Sequence, residues 1–378
     1  MKTFDVYPLL DIEPVKAQGC WLWDKNGNKY LDLYGGHAVI SIGHSHPYYI
    51  KKIEEQLEKI GFYSNSVRIP IQDELAQKLG ELSGYNDYNL FLCNSGAEAN
   101  ENALKLASFH TGRKKIISFS KSFHGRTSLA VASTDNKSIV APVNETDNIS
   151  FLPFNDEAAL ENAMKDSICA IIIEAMQGVG GVQVPTDSFL QKAKALCEKY
   201  NSVLILDEVQ SGYGRSGKFF SHQFSNIKPD IITTAKGMGN GFPIGGVLIS
   251  PRFPAKHHQL GTTFGGNHLA CAAAIAVLDV IKNEKLMINA KGIGDYMIST
   301  LKKITGVKEV RGRGLMIGIE LEFPYEAIRN ELIFSHRIFT GTSGKNTLRL
   351  LPPLTLSKEE AEIFLHAFAS VMKKSLVK

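Results

Sequence analysis

Seven short apolar segments between residues 86 and 250 constrain the fold of this 378-residue chain more than any other feature. One of them, SVLILDEV, has no alternation of apolar and polar residues, which is typical of a strand buried on both faces. Between two of the segments, TDSFLQKAKALCEKY repeats apolar residues at helical spacing, with Thr186 or Asp187 as the N-cap. Strands that alternate with helices predict an α/β domain with a mainly parallel, seven-stranded sheet. The segments are YNLFLCNS, KKIISFS, ISFLPF, ICAIIIEAM, SVLILDEV, DIITTAK and GGVLIS.

The two ends of the chain differ from this central pattern. Residues 1–50 are rich in Gly, Tyr and Trp and contain turn signals such as DKNGN. From residue 266 onward, the long helical pattern LACAAAIAVLDVIKNEK precedes short strands around VRGRGLMIGIEL and TLRLLPP. We therefore predict a large domain over residues 51–265 and a smaller α+β domain built from residues 1–50 and 266–378.

Composition and charge narrow the class of protein. Lys and Arg number 42 against 38 Asp and Glu, and a net charge of +4 is too balanced to indicate nucleic acid or a membrane surface as the main partner. The 5 cysteines are widely spaced without a CxxC pair, so we expect reduced, buried thiols, as in the cytoplasm. The N-terminus has no apolar stretch of a secretory signal, and no run approaches the length of a membrane span.

Polar residues follow three of the predicted strands at the point where each strand ends. Ligands of parallel sheets bind beyond the carboxyl ends of the strands, so these residues are expected to meet at one edge. They are Ser95, Gly96 and Ala97 after NLFLCN, Asp207, Glu208 and Gln210 after SVLIL, and Lys236 after DIITTA.

Each of these groups has a chemical and an ordinary interpretation. A Ser-Gly-Ala turn at a helix N-terminus exposes N–H groups that suit a phosphate, although a simple N-cap gives the same pattern. Lys236 would become a nucleophile for a carbonyl if desolvation lowered its pKa, although a solvated loop lysine is common. Together with the anion of Asp207, the amine and the phosphate cradle are the groups that pyridoxal phosphate requires.

The chain resembles a known family over nearly its whole length. It is similar to the class III, ornithine-type aminotransferases among the fold-type I pyridoxal-phosphate enzymes, and within them to the acetylornithine and succinylornithine aminotransferases. The motifs occur in family order: GGHAVISIGHSHP, NSGAEANENALK, FHGRT, IIIEAMQGVGG, LILDEVQSGYGR, AKGMGNGFPIGG, TTFGGNHLACAA and LRLLPPLTL.

The resemblance implies a cofactor role for several residues. Asp207 would pair with the protonated pyridine nitrogen, and Gln210 would hydrogen-bond the ring hydroxyl. Lys236 would hold the cofactor covalently and later move the proton at the reacting carbon. Glu208 is expected to be structural or to support its neighbours.

Other implied contacts concern the phosphate, the ring face and the oligomer. The N–H groups of Gly96 and Ala97, with Ser95, would bind the phosphate. Phe123 would stack on the ring, although an ordinary core aromatic is the alternative. Thr262 and Thr263 resemble the residues that reach the phosphate of the partner subunit, which implies a homodimer with shared active sites.

Two arginines resemble carboxylate clamps, because a guanidinium matches a carboxylate in shape and charge. Arg126 would bind the distal carboxylate of 2-oxoglutarate and a carboxylate of the amine donor, and Arg349 would bind the α-carboxylate. A surface salt bridge is the alternative for each. Glu174 is grouped with these substrate-binding residues.

Two positions depart from the family pattern. Val179, in QGVGG, occupies the position of a glutamate that in relatives can mask the α-carboxylate arginine. Arg68, in SNSVRIP, is a cation that the acetyl-specific pattern does not predict, and we hypothesise that it binds an extra carboxylate such as that of a succinyl group. A solvated edge arginine explains Arg68 equally well.

The expected activity is transfer of the δ-amino group of N-acetyl- or N-succinyl-ornithine to 2-oxoglutarate, in arginine biosynthesis. An ornithine or ω-amino-acid (γ-aminobutyrate-type) aminotransferase is the near alternative. A P-loop nucleotide hydrolase is the distant one, because GYGRSGKF almost fits the loop, although Phe219 lacks the hydroxyl that binds magnesium. No metal site is predicted, since GHSHP has no further ligands at suitable spacing.

Overall fold

Three short antiparallel strands begin the chain in the computed structural model, which describes residues 1–376. They are β1 (Pro14–Gln18), β2 (Trp21–Asp24) and β3 (Lys29–Asp32). The turn between β2 and β3 forms because a carboxylate oxygen of Asp24 accepts the N–H groups of Asn26 (2.9 Å) and Asn28 (2.8 Å). Two helices follow, each with proline in its first turn, Pro47–Leu57 and Pro70–Ser83.

The seven apolar segments form the seven strands of a central sheet, as predicted. Its order is β4-β10-β9-β8-β7-β5-β6, and only β10 runs antiparallel to its neighbours. The middle strands are buried on both faces, which explains why their sequences do not alternate. The strands are β4 (Asn89–Cys93), β5 (Lys115–Phe119), β6 (Ile149–Leu152), β7 (Ile168–Glu174), β8 (Val203–Asp207), β9 (Ile231–Thr234) and β10 (Gly245–Ile249).

Helices connect these strands and cover the sheet. They are Gly96–Thr111, Ser128–Ala132, Glu157–Ala163 and Asp187–Lys199. Thr186 is the N-cap of the last of these, since its hydroxyl accepts the N–H of Phe189 at 3.2 Å. Gly112 ends the first helix in the left-handed conformation, as a C-terminal glycine is expected to do.

The remaining chain adds helices and an antiparallel sheet ordered β11-β12-β15-β14. The helices are His268–Asn283, Leu286–Leu301, Glu326–Asn330 and Lys358–Leu376, with a π-helical turn at Glu331–Ser335. The strands are β11 (Val307–Arg313), β12 (Met316–Leu321), β13 (Ile338–Phe339), β14 (Gly341–Ser343) and β15 (Thr347–Leu350). Because β13 pairs with β3, the first sheet contains strands from both ends of the chain. The domain boundaries at residues 50 and 265 stay a prediction.

The largest hydrophobic core joins β3, the helices Pro70–Ser83 and His268–Asn283, and the C-terminal helix. All five cysteines are buried and free, as the sequence predicted. None of the helices in residues 1–376 is long and apolar enough to cross a membrane.

Candidate active site

A cavity of about 370 Å³ lies at the edge of the central sheet where β4, β8 and β9 end. Except for Glu208, the residues predicted to converge at the strand ends all line it, together with residues from the FHGRT and IIIEAMQGVGG motifs. The sequence-predicted residues in its wall are Ser95, Gly96, Ala97, Phe123, Arg126, Glu174, Asp207, Gln210 and Lys236.

Asp207 is the last residue of β8 and is buried. One of its carboxylate oxygens accepts a hydrogen bond from Asn100 Nδ2 (2.8 Å) and lies 2.7 Å from His124 Nδ1. The other accepts the N–H of Val209 at 3.0 Å. The carboxylate is therefore fixed in one orientation. Sequence reasoning missed Asn100 and His124, although His124 lies inside the FHGRT motif.

Lys236 follows β9 and has φ +44°, a left-handed conformation that residues other than glycine seldom adopt. Burial lowers the pKa of its amine, while the negative charges of Asp207 and Glu174 oppose that shift and Arg349 adds to it. A lowered pKa leaves more of the amine neutral, which is the form that attacks a carbonyl.

The N-terminus of the helix Gly96–Thr111 opens on the same cavity. Ser95 caps it, because its hydroxyl accepts the N–H of Glu98 at 3.2 Å. Within residues 1–376, no hydrogen-bond acceptor contacts the N–H of Gly96 or Ala97. A Cβ at position 96 would lie 2.6 Å from Val209 Cγ1, so a side chain does not fit here. Free N–H groups at a helix N-terminus suit an anion such as a phosphate.

Glu174, at the end of β7, is buried in the cavity wall. Its carboxylate accepts the N–H groups of Phe123 (3.0 Å) and Gly178 (2.9 Å). Burial raises the pKa of Glu174 to about 7, with His124 and the two N–H groups opposing and Asp207 adding to the shift. Its charge therefore changes near neutral pH, next to Lys236 and Arg349.

The raised pKa predicts a pH-dependent stability. Glu174 has a higher pKa in the folded chain (about 7) than the ordinary value of 4.5 in an unfolded one. The folded state therefore binds this proton more tightly, and stability falls as the pH rises from about 4.5 to 7, by at most about 3 kcal/mol. Glu174→Gln should lose this component. Denaturant unfolding of both proteins at pH 4.5, 6 and 7.5 measures this component. The same change of unfolding free energy with pH in wild type and variant would contradict the prediction.

Arg126 lines the cavity with an exposed side chain, whereas Arg349 is buried beside it. Arg349 Nε donates to the carbonyl of Thr342 at 2.8 Å, and Nη2 lies 3.5 Å from Tyr34 Oη. Nη1 has no hydrogen-bond partner in the described chain. Burial lowers the pKa of Arg349. The second arginine is therefore a buried cation with only neutral hydrogen-bond acceptors.

Four further predicted residues do not line this cavity. Thr262 accepts the N–H of Gly265 at 3.1 Å, and Thr263 and Arg68 are exposed. Glu208, adjacent to Asp207, is hydrogen-bonded elsewhere, to the N–H of His222 (2.8 Å) and the hydroxyl of Ser211 (2.5 Å).

The GHSHP motif does not form a metal centre in the described part of the chain. His44 Nε2 lies 2.8 Å from a carboxylate oxygen of Asp32, and His46 Nε2 lies 2.9 Å from one of Glu284. No group of three or more His, Cys, Asp or Glu side chains in residues 1–376 could hold a metal ion.

Comparison with known proteins decides the family. The family model of the class III aminotransferases matches residues 5–372. The chain belongs to this family. It is an aminotransferase of fold type I, and the nucleotide-hydrolase alternative is wrong.

Individual relatives agree with this assignment. The chain is 39% identical to an acetylornithine aminotransferase of Bacillus cereus, over 95% of this chain and 94% of the relative. It is equally identical to that of Bacillus subtilis, over 94% of both chains. The solved ornithine aminotransferase of Toxoplasma gondii superposes with a TM-score of 0.93 at 29% identity, covering 99% of this chain and 93% of that one.

The family implies pyridoxal phosphate, and the cavity residues fit it. His124 Nε2 and Gln210 Oε1 are buried there without a hydrogen-bond partner in the described residues. A Cβ at Gly125 would lie 2.7 Å from Ala97 Cβ, so the backbone packs closely beside the helix N-terminus that carries the free N–H groups. The carboxylate of Asp207, the free N–H groups of Gly96 and Ala97 and the Lys236 amine with its lowered pKa line the same cavity and match the charges of this cofactor.

Proposed function

We propose that this class III aminotransferase binds pyridoxal phosphate in the cavity and transfers the δ-amino group of an N-acylated ornithine to 2-oxoglutarate. The products are the N-acylglutamate semialdehyde and glutamate, and the role is in arginine biosynthesis in the cytoplasm. One observation carries the proposal. Lys236, Asp207 and a free helix N-terminus line one cavity in a chain 39% identical to acetylornithine aminotransferases.

The chain's own residues would hold the cofactor at three points. The N–H groups of Gly96 and Ala97, with Ser95, bind its phosphate. Asp207 stabilises a positive charge on the ring nitrogen, and its orientation is fixed by the hydrogen bonds described above. Gln210 contacts the ring hydroxyl, and Phe123 packs on the ring.

When bound, pyridoxal phosphate supplies an electron sink for bond changes at the carbon that carries the amino group. Lys236 provides the acid–base chemistry, because its lowered pKa makes the amine more readily available to take and return a proton. Phe123 and Val179 contribute apolar side chains to the cavity wall.

Two arginines would select dicarboxylic substrates. Arg126 binds the distal carboxylate of 2-oxoglutarate and a carboxylate of the acylornithine, and Arg349 binds the α-carboxylate. Glu174 supports this wall by holding the N–H groups of Phe123 and Gly178. Because position 179 is valine, no carboxylate there competes for Arg349.

The active enzyme is proposed to be a homodimer with shared sites. Thr262 and Thr263, which lie outside this chain's cavity, would contact the phosphate in the partner's site. The rings of Phe62 and Phe264, whose centroids are 5.4 Å apart, are 44% and 59% exposed. This exposed aromatic pair would be buried by the second subunit.

The visible spectrum of the purified protein tests this function. Single amine donors are added without 2-oxoglutarate, and we expect N-acetylornithine or N-succinylornithine to bleach the cofactor band fastest. Faster bleaching by free ornithine or γ-aminobutyrate would keep the cofactor chemistry and contradict the substrate. No visible band after addition of pyridoxal phosphate would contradict the proposal as a whole.

The same series tests Arg68. If Arg68 binds the extra carboxylate of a succinyl group, Arg68→Ala should slow bleaching by N-succinylornithine about tenfold and spare N-acetylornithine. An equal change in the bleaching rates with both amine donors would show that Arg68 does not bind the acyl group.

A further inference from the structure

The segment Gly35–Ala38, at the edge of the candidate active site, is a left-handed turn. Its four residues have φ of +55°, +54°, +67° and +67°. The last two are histidine and alanine, for which the left-handed conformation is strained. The turn is fixed from outside, because Asp32 accepts the N–H groups of Tyr34 (3.0 Å) and Gly35 (2.8 Å). Strain that the surroundings maintain at a site is a reason to ask what the strained residue does there.

This turn is connected to the residues of the site. Gln210 Nε2 donates to the carbonyl of His37 at 3.2 Å. Partial burial lowers the pKa of the His37 ring, and the positive charges of Arg349 and Lys236 lower it further. The lowered pKa favours the neutral imidazole, which lies within electrostatic reach of both cations.

Tyr34 connects Arg349 to His37. Tyr34 Oη lies 3.5 Å from Arg349 Nη2 and 2.5 Å from His37 Nδ1. A guanidinium only donates, so the Tyr34 oxygen accepts from Arg349, while its contact with His37 Nδ1 fits either tautomer of the ring. A neutral imidazole that accepts at Nδ1 carries its own proton on Nε2.

Two nitrogens remain without a partner in residues 1–376. Arg349 Nη1 is buried and has no acceptor, and no hydrogen bond involves His37 Nε2. Both belong to side chains that contact Tyr34 Oη. With the imidazole proton on Nε2, both nitrogens are N–H donors and one of them is cationic, which is the recognition chemistry of a carboxylate.

We infer that Tyr34 and His37 extend the carboxylate site of Arg349, with His37 Nε2–H as a second donor to a carboxylate-bearing substrate such as 2-oxoglutarate. His37 is then a specificity-determining residue, and Tyr34 positions it against the guanidinium. The inference rests on the proposed function, in which Arg349 binds a substrate carboxylate.

Glutarate is the probe, because it has the two carboxylates of 2-oxoglutarate and cannot react. Its Kd for the holoenzyme is measured by calorimetry, beside the KM for 2-oxoglutarate and the Tm of each variant. His37→Phe removes both ring nitrogens and should raise Kd and KM about tenfold or more, as expected for a lost hydrogen bond to a charged group. Tyr34→Phe should raise both less, since it removes the connection and leaves the imidazole donor.

Two further variants separate binding from folding. His37→Gly relieves the left-handed strain, so its Tm should equal or exceed that of the wild type while Kd rises as in His37→Phe. His37→Asn suits the left-handed conformation and keeps an N–H donor, so it should recover part of the affinity. His366→Phe, an exposed histidine on the terminal helix, is the matched control and should leave Kd unchanged.

An unchanged glutarate Kd in His37→Phe would overturn the inference, and so would a His37→Gly variant whose Tm falls together with its affinity. The proposed function fails separately. Glutarate binding that depends on His37 in a protein with no visible cofactor band would support the carboxylate site and contradict the aminotransferase chemistry.

Discussion

Lys236→Ala is expected to reduce kcat for transamination by at least about 10⁴-fold, because it removes both the group proposed to hold the cofactor and the acid–base proposed to move the substrate proton. The protein should still fold. The amine is buried and its pKa is lowered by that burial, so its removal relieves a desolvation cost and leaves the backbone turn at φ +44° as it was. We expect a Tm within a few degrees of the wild type.

The measurement combines steady-state activity with the visible spectrum and the Tm. Lys236→Arg is the matched control, since it keeps a long cationic side chain that does not lose its proton at neutral pH. It should be as inactive as the alanine variant. Either variant with more than about 1% of wild-type kcat would show that another group performs the proton transfer.

The central sheet and the position of the cavity followed from the sequence for a simple physical reason. Strands buried on both faces must be apolar throughout, so the segments around Ile168–Glu174 and Val203–Asp207 stand out from any amphipathic neighbour. Parallel strands then bring their carboxyl ends to one edge, so the sequence alone predicts that Asp207 and Lys236 lie close together, and both line the cavity.

The supporting groups were not predictable, because their sequence context is ordinary. Asn100 lies in the second turn of the helix Gly96–Thr111, and only the fold brings its amide to Asp207 and Thr233. His124 lies in the FHGRT motif, but the motif alone assigns no role to its side chain. No residue preference predicts four successive left-handed residues that include His37. The contacts expected of Thr262 and Thr263 depend on a second chain, so they stay predictions.

Asp207→Asn should reduce kcat/KM by about 10³-fold, the usual effect of removing one preorganised electrostatic partner of a developing charge. The amide has the same shape, so the cavity should keep its form. It cannot match the existing contacts, however. One carboxylate oxygen accepts from Asn100 Nδ2 and lies 2.7 Å from His124 Nδ1, and the other accepts the N–H of Val209. The amide nitrogen of asparagine cannot accept a hydrogen bond from any of these groups. At least one donor is therefore left unsatisfied, and affinity for pyridoxal phosphate should also fall.

His124→Asn is the control that separates charge from orientation. It removes the imidazole 2.7 Å from Asp207 and keeps the carboxylate, so a loss of about tenfold in kcat/KM is expected. Steady-state kinetics and cofactor titration of both variants measure the two effects. If Asp207→Asn lost no more than His124→Asn, the negative charge at the end of β8 would not be what the ring nitrogen requires, and the role proposed for this carboxylate would be wrong.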